Sequence, residues 1–306
     1  MNPTKPLCLP LLLGLLLAVG ACGPEQAPVG EEAADAGLDS ELPPVDAGAL
    51  EPDAGLEPLD AGHLDAGNPG SDAGQLDAGE PDAGQVDAGP LPYEDLDSLQ
   101  GAALEAALYD LVKDHHSLHY DNESKVVMAG PDGFDVVDGM VECLYTGQLF
   151  FPHQIDTEGG FNMEHSWPKS EGAGARPAES DLHHLFPTER RINSLRSSHD
   201  FGDTPCTTDC RADVGGSKLG PVAGGTELVF QVRPERQGDI ARAHFYFAVR
   251  YRMNIPSREE AALRRWNLAD PPDDRERARN LAIEVHQENR NPFVERPDFV
   301  DRIADF

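Results

Sequence analysis

Nine copies of Asp-Ala-Gly, the first at Asp35 and the last at Asp87, recur five to eleven residues apart, and no Lys or Arg lies between Lys5 and Lys113. No aromatic residue occurs from Gly30 to Pro92. Such a stretch cannot bury enough apolar surface to offset the entropy of ordering it. Its like charges repel and extend it. The repeats lack the alternating oxygen ligands and closing Glu of a calcium loop. Residues 23–92 therefore read as a disordered acidic spacer, and any fold must be built from residues 93–306.

The formal net charge of -31 follows the same division. Residues 99–306 hold 35 acidic and 23 basic residues, a balance of -12, so the spacer carries much of the excess. Residues 1–22 read as an export signal. Lys5 precedes the apolar run LPLLLGLLLAVGA, which is short for a membrane span. Val19-Gly20-Ala21-Cys22 has the form of a lipoprotein cleavage box with Cys22 as the lipid-bearing residue, and a plain secretory signal is the alternative. The chain is then exported, as an outer-membrane lipoprotein or a periplasmic or secreted protein. In that oxidising setting Cys206 and Cys210, in CTTDC, are candidates for a small-loop disulfide. Cys143, in VECLY, reads as a core residue.

From Tyr93 onward the pattern changes. Leu104, Leu108, Leu111 and Val112 mark a helix after Ser98. Strand-like runs follow at 125–129, 134–146 and 227–233. Ile240, His244, Phe247 and Tyr251 share one face of a later helix, and His244 reads as a satisfied core histidine. Ser257-Arg-Glu-Glu260 reads as a capping box. Asp270-Pro-Pro-Asp opens a further helix with Leu281, Ala282 and Val285 on its apolar side. Roughly 200 residues of mixed elements make one α+β domain with a helical C-terminal part.

Two stretches carry chemistry. In FNMEHSWPKSEG, Glu164 and His165 stand side by side, with Trp167 as a packing wedge and Asn162 shaping a turn. In ESDLHHLFPTERRINSLRSSHDFGD, Pro187-Thr188 can start a helix that carries Asn193, with Arg190 and Arg196 three residues either side of it. A carboxylate and a neutral amide suit a hard cation such as Mg²⁺, which takes few protein ligands and keeps room for water and phosphate. A neutral imidazole can deprotonate water, and guanidiniums can neutralise developing charge. That set fits phosphodiester hydrolysis. Asp181 reads as a brace that orients an imidazole. His183 and His184 read either as phosphate or metal contacts or as members of the same brace. Arg190-Arg191 reads as a phosphate patch or as a solvated helix face.

Asn162-Met-Glu-His-Ser-Trp-Pro, Ser180-Asp-Leu-His-His-Leu-Phe-Pro-Thr, Asn193-Ser-x-Arg and Phe201-Gly together resemble the bacterial endonuclease I family. The likeness continues through Gly238-Asp-Ile-Ala-Arg-Ala-His-Phe-Tyr-Phe and Gln287-Glu-Asn-Arg-Asn-Pro-Phe-Val, and it covers none of the first 92 residues. The resemblance implies a ββα-metal (His-Me finger) core. His165 would be the general base, and Glu164 and Asn193 would hold Mg²⁺ or another divalent cation such as Mn²⁺ or Ca²⁺. It implies low sequence specificity on DNA and also RNA, 5′-phosphate products, and an arginine at the transition state. Arg196 is the expected arginine, with Arg176 the alternative. A monomer is expected. Two other readings compete: a surface lipoprotein that kept the fold as a binding module, and a hydrolase of some other phosphodiester. With a balance of -12, long-range attraction for nucleic acid is weak, so local cations must supply it.

Overall fold

The structure is a computed structural model, and it describes residues 93–306. The signal peptide, the Cys22 lipidation site and the Asp-Ala-Gly spacer lie outside the described residues.

The first helix, α1 (Gly101–Val112), buries Leu104, Leu108 and Val112. Its cap position is Gln100 rather than Ser98, and Leu111 stays exposed. Residues 125–129, expected as a strand, form the short helix α2 (Lys125–Ala129). The β-branched pair Val126-Val127 suggested a strand, but the turn entered at Tyr120 carries the chain into the helix. Next come β1 (Val136–Val137), β2 (Met140–Glu142) and β3 (Leu149–Phe150), an antiparallel sheet. Asp138 and Gly139, both at positive φ (52° and 75°), make the β1–β2 turn, a conformation that suits Asp-Gly and matches the strand twist.

The central unit consists of β4 (Phe161–His165), β5 (Leu185–Glu189) and α3 (Arg190–Arg196). The two strands are antiparallel, with Glu164 opposite Phe186 and His165 opposite Leu185. Pro187 and Thr188 lie in β5, opposite Met163 and Asn162, so the helix expected to start there starts at Arg190 instead. The chain then forms β6 (Ala212–Val214), β7 (Ser217–Pro221) and β8 (Leu228–Gln231), a second three-stranded antiparallel sheet. Cys206 and Cys210 are disulfide-bonded, and Cys143 is a buried free thiol.

The C-terminal part is helical: α4 (Gln237–Tyr251), α5 (Ser257–Ala269), α6 (Asp274–Gln287), α7 (Pro292–Glu295) and α8 (Phe299–Arg302). Nearly all of α4 is buried, polar Asp239 and Arg242 included. Arg242 is ion-paired with Glu276 of α6, which satisfies a charge that would otherwise be costly to bury. Ser257 is the first residue of α5 and caps nothing with its side chain, whereas Asp273 caps α6 by accepting the Glu276 N–H at 2.7 Å. The inward face of α6 is Glu276, Asn280, Ile283 and Gln287, and Val285 is 79% exposed. The apolar face expected there is therefore wrong. This helix packs through amides and a carboxylate, which periodicity of apolar residues does not detect. No helix among the described residues is long and apolar enough to cross a membrane.

Candidate active site

Strand alternation decides the site. Along β4, Asn162 and Glu164 point to one face of the hairpin and His165 to the other. On α3, Asn193 and Arg196 are one turn apart on a shared face. The helix packs on the Asn162–Glu164 face, and two side-chain rungs result. Asn193 Nδ2 donates to Asn162 Oδ1 at 2.9 Å, and Arg196 Nη1 donates to Glu164 Oε1 at 3.0 Å. Glu164 and Asn193 thus lie on the same side of the hairpin, each on its own rung. Asn162, expected in a turn, is the strand residue that orients the Asn193 amide.

Glu164 is only 3% exposed. Its Oε1 also accepts the Tyr145 hydroxyl at 2.7 Å. Burial pushes its pKa up, and Arg196 and Tyr145 pull it back. With Oε1 engaged twice, Oε2 is the oxygen left for another cation. The Asn193 bond to Asn162 likewise uses the amide N–H₂ and leaves its carbonyl oxygen. One carboxylate and one neutral carbonyl form an all-oxygen donor pair that fits Mg²⁺ or a similar hard cation. Among the described residues no group of three or more His, Cys, Asp or Glu side chains converges as a metal cluster.

On the opposite face, His165 Nε2 lies 2.9 Å from the Glu179 carbonyl oxygen. A carbonyl only accepts, so Nε2 carries the proton and Nδ1 keeps its lone pair. Burial, with His184 and Lys169 adding to it, lowers the His165 pKa to about 2, so the ring is neutral. A neutral imidazole with a free Nδ1 can act as a base. The Tyr120 ring packs 5.0 Å from it and the His184 ring 5.4 Å.

Arg196 does not suit the transition-state role expected of it. It is 1% exposed, donates to the carbonyls of His165 (3.1 Å) and Ser166 (2.6 Å) as well as to Glu164, and stacks over Phe201 at 4.4 Å. Those contacts bury it beneath the strand. Arg176 is exposed and bonds to Ser117 through side chain and carbonyl. Arg190 holds the carbonyls of Asp156 and Thr157, each at 3.2 Å, and Arg191 is exposed.

Asp181 is fully buried, and its carboxylate hydrogen-bonds to no imidazole ring among the described residues, so it does not orient one as expected. It accepts from Gln287 Nε2 (2.8 Å) and from the hydroxyls of Tyr246 (2.9 Å) and Tyr251 (2.8 Å). Burial raises its pKa, but His115, His183 and His184 outweigh that and bring it to about 2. His183 and His184 are buried too, with Nε2 atoms on the carbonyls of Asn289 (3.3 Å) and Ala178 (2.7 Å), and burial lowers both to about 4. Both rings are thus held against backbone carbonyls beside Asp181. His244 is buried between Trp167 and Phe201 with neither ring nitrogen hydrogen-bonded, and Glu259 lies 3.9 Å from its Nδ1. It is a core histidine, as expected, with the Ser166 backbone beside its ring. Trp167 stacks on Phe247 at 4.7 Å, as a packing wedge does. Sequence reasoning missed Tyr145, Glu179 and Gln287, because each reaches the site across many intervening residues.

A family model described as Endonuclease I matches residues 100–298. The chain is 31% identical to an extracellular ribonuclease of Bacillus subtilis (strain 168) over 234 residues, covering 69% of this chain and 77% of that one. It is 32% identical to an extracellular ribonuclease of Bacillus amyloliquefaciens over 242 residues, with the same coverage. It is 29% identical to an extracellular deoxyribonuclease of Aeromonas hydrophila over 125 residues, covering 39% of this chain and 50% of that one. With the family model spanning the hairpin, the helix and the buried histidines, the chain belongs to the endonuclease I family.

Proposed function

We propose that this chain is an exported, divalent-metal-dependent, nonspecific endonuclease acting on DNA and RNA, with β4, β5 and α3 as a ββα-metal core. The relatives named as extracellular ribonucleases and deoxyribonucleases support a secreted nuclease whose substrate is nucleic acid. The observation that carries the mechanism is the hydrogen bond from His165 Nε2 to the Glu179 carbonyl, which sets the tautomer and leaves Nδ1 as the base.

In this reading Glu164 Oε2 and Asn193 Oδ1 would hold Mg²⁺, or Mn²⁺ or Ca²⁺ in its place, and the bound cation would supply charge neutralisation for the phosphodiester. His165 Nδ1 takes the proton of the attacking water. Asn162 keeps the Asn193 oxygen facing outward. Arg196 and Tyr145 hold Glu164 in one rotamer. The products carry 5′-phosphates. The chain acts as a monomer, anchored to the outer membrane through a lipidated Cys22 and held away from it by the acidic spacer.

Supercoiled plasmid and single-stranded RNA incubated with the purified chain, with a divalent-ion panel or EDTA, test this. Both nucleic acids should be degraded only with metal. His165→Ala should lose cleavage while keeping its metal affinity and melting temperature. Degradation undiminished in EDTA, or a fully active His165→Ala protein, overturns the mechanism.

A further inference from the structure

With Arg196 sealed in the core, the face of His165 needs another cation for the phosphate. A lysine stands there. Lys169, in the turn after Pro168, places Nζ 4.4 Å from the centre of the Tyr120 ring, the same ring that packs 5.0 Å from the imidazole. Its Nζ is 3.0 Å from Glu179 Oε1. Glu179 therefore anchors both groups: its carboxylate holds the ammonium, and its backbone carbonyl holds His165 Nε2. The Lys169 side chain is 45% exposed. An ammonium has three N–H donors, so one engaged by Glu179 leaves two for phosphate oxygens.

The other cations nearby are less suited. Lys125 also lies over Tyr120, at 4.8 Å, but it is 17% exposed and tied to two carboxylates, Asp121 and Asp156. Arg190, at the start of α3, holds the carbonyls of Asp156 and Thr157 through Nη1. Arg176 donates from Nε and Nη2 to Ser117.

We propose that Lys169 is the catalytic cation of this site: poised by Glu179 and Tyr120, it contacts the scissile phosphate beside His165 and stabilises its developing charge. The assignment rests on the nuclease reading above and adds a residue to it. Tyr120 serves as a platform that fixes the ammonium by cation–π attraction.

The test compares wild type with Lys169→Met, Lys169→Arg, Arg176→Met and His165→Ala on two substrates, a DNA duplex and thymidine 5′-(p-nitrophenyl phosphate). Melting temperature is followed throughout. Lys169→Met should lose about 10²-fold in kcat on both substrates, with KM changing far less. Lys169→Arg should recover most of that loss, and Arg176→Met should stay near wild type. A merely structural lysine would lower the melting temperature and would not split kcat from KM. Wild-type kcat in Lys169→Met, or a loss confined to the duplex, would overturn the assignment; the latter result would make Lys169 a flanking-phosphate contact. So would an Arg176→Met loss larger than that of Lys169→Met. A wild-type protein no more active than His165→Ala on both substrates would instead sink the nuclease reading itself, and this inference with it.

Discussion

Replacing Arg196 with Met separates a structural arginine from a catalytic one. Met keeps the aliphatic bulk over Phe201 but removes the charge. Glu164, 3% exposed, is then left without its ion-pair partner, and the carbonyls of His165 and Ser166 each lose a donor. Removing one member of a buried pair costs about 3–5 kcal/mol, because the remaining charge stays desolvated. For a domain of this size each kcal/mol moves the melting temperature by about 2–4 °C, so a drop of about 10 °C is expected. Adding Glu164→Gln to Arg196→Met should return part of the loss, since a neutral amide replaces the stranded carboxylate; the coupling read from the double-mutant cycle should be at least about 1 kcal/mol. Scanning calorimetry and urea titration supply the energies. Plasmid cleavage well below the melting point should persist in Arg196→Met, with a higher metal concentration for half-maximal rate because Glu164 is less well held. A melting temperature equal to wild type, with cleavage abolished, would refute this reasoning and return Arg196 to the transition state.

Three further outcomes follow from the same geometry. Asn193→Ala removes one oxygen donor and should raise the metal concentration needed for half-maximal cleavage about tenfold or more, with the melting temperature nearly unchanged; an unaltered metal titration counts against Asn193 as a ligand. Stability should fall as pH drops from 6.5 toward 4.5. In the unfolded chain, histidines gain protons near 6.5, while folded His183 and His184 resist until about 4, His244 until about 3 and His165 until about 2, all through burial. Glu259 and Asp239, both raised to about 7 by burial, oppose this by keeping protons that the unfolded chain releases. Glu164 and Glu276, also raised by burial, oppose it too, while His115, lowered by burial, adds to the fall; urea midpoints that rise as pH drops from 6.5 to 4.5 would contradict the expected loss. Asp181→Asn should cost about 1–3 kcal/mol, because two tyrosine hydroxyls and Gln287 lose a charged acceptor; a neutral effect in urea would mean these hydrogen bonds are dispensable.

How much of this was legible beforehand depended on whether the signal was local. The strand at 228–231 and the buried face of α4 rest on periodicity, which can be read along the chain. So could Glu164, His165 and Asn193 as candidates, since their neighbours made a recognisable order. Secondary structure failed where tertiary context outweighed propensity: Val126-Val127 went helical, Pro187-Thr188 became strand, and α6 buried amides where an apolar face was expected. Charge type was legible as well, but burial was not, and burial reverses what a charge does. Arg196 and Lys169 are both cations within reach of the same strand. Helical spacing from Asn193 favoured the arginine, and folding put it at 1% exposure under that strand while it left the lysine side chain 45% exposed beside the Tyr120 ring. The physical reason is that desolvation and pairing are properties of what surrounds a group in space. Tyr145, Glu179 and Gln287 reach their partners in the site from 14 to 106 positions away, and only the folded chain brings them there.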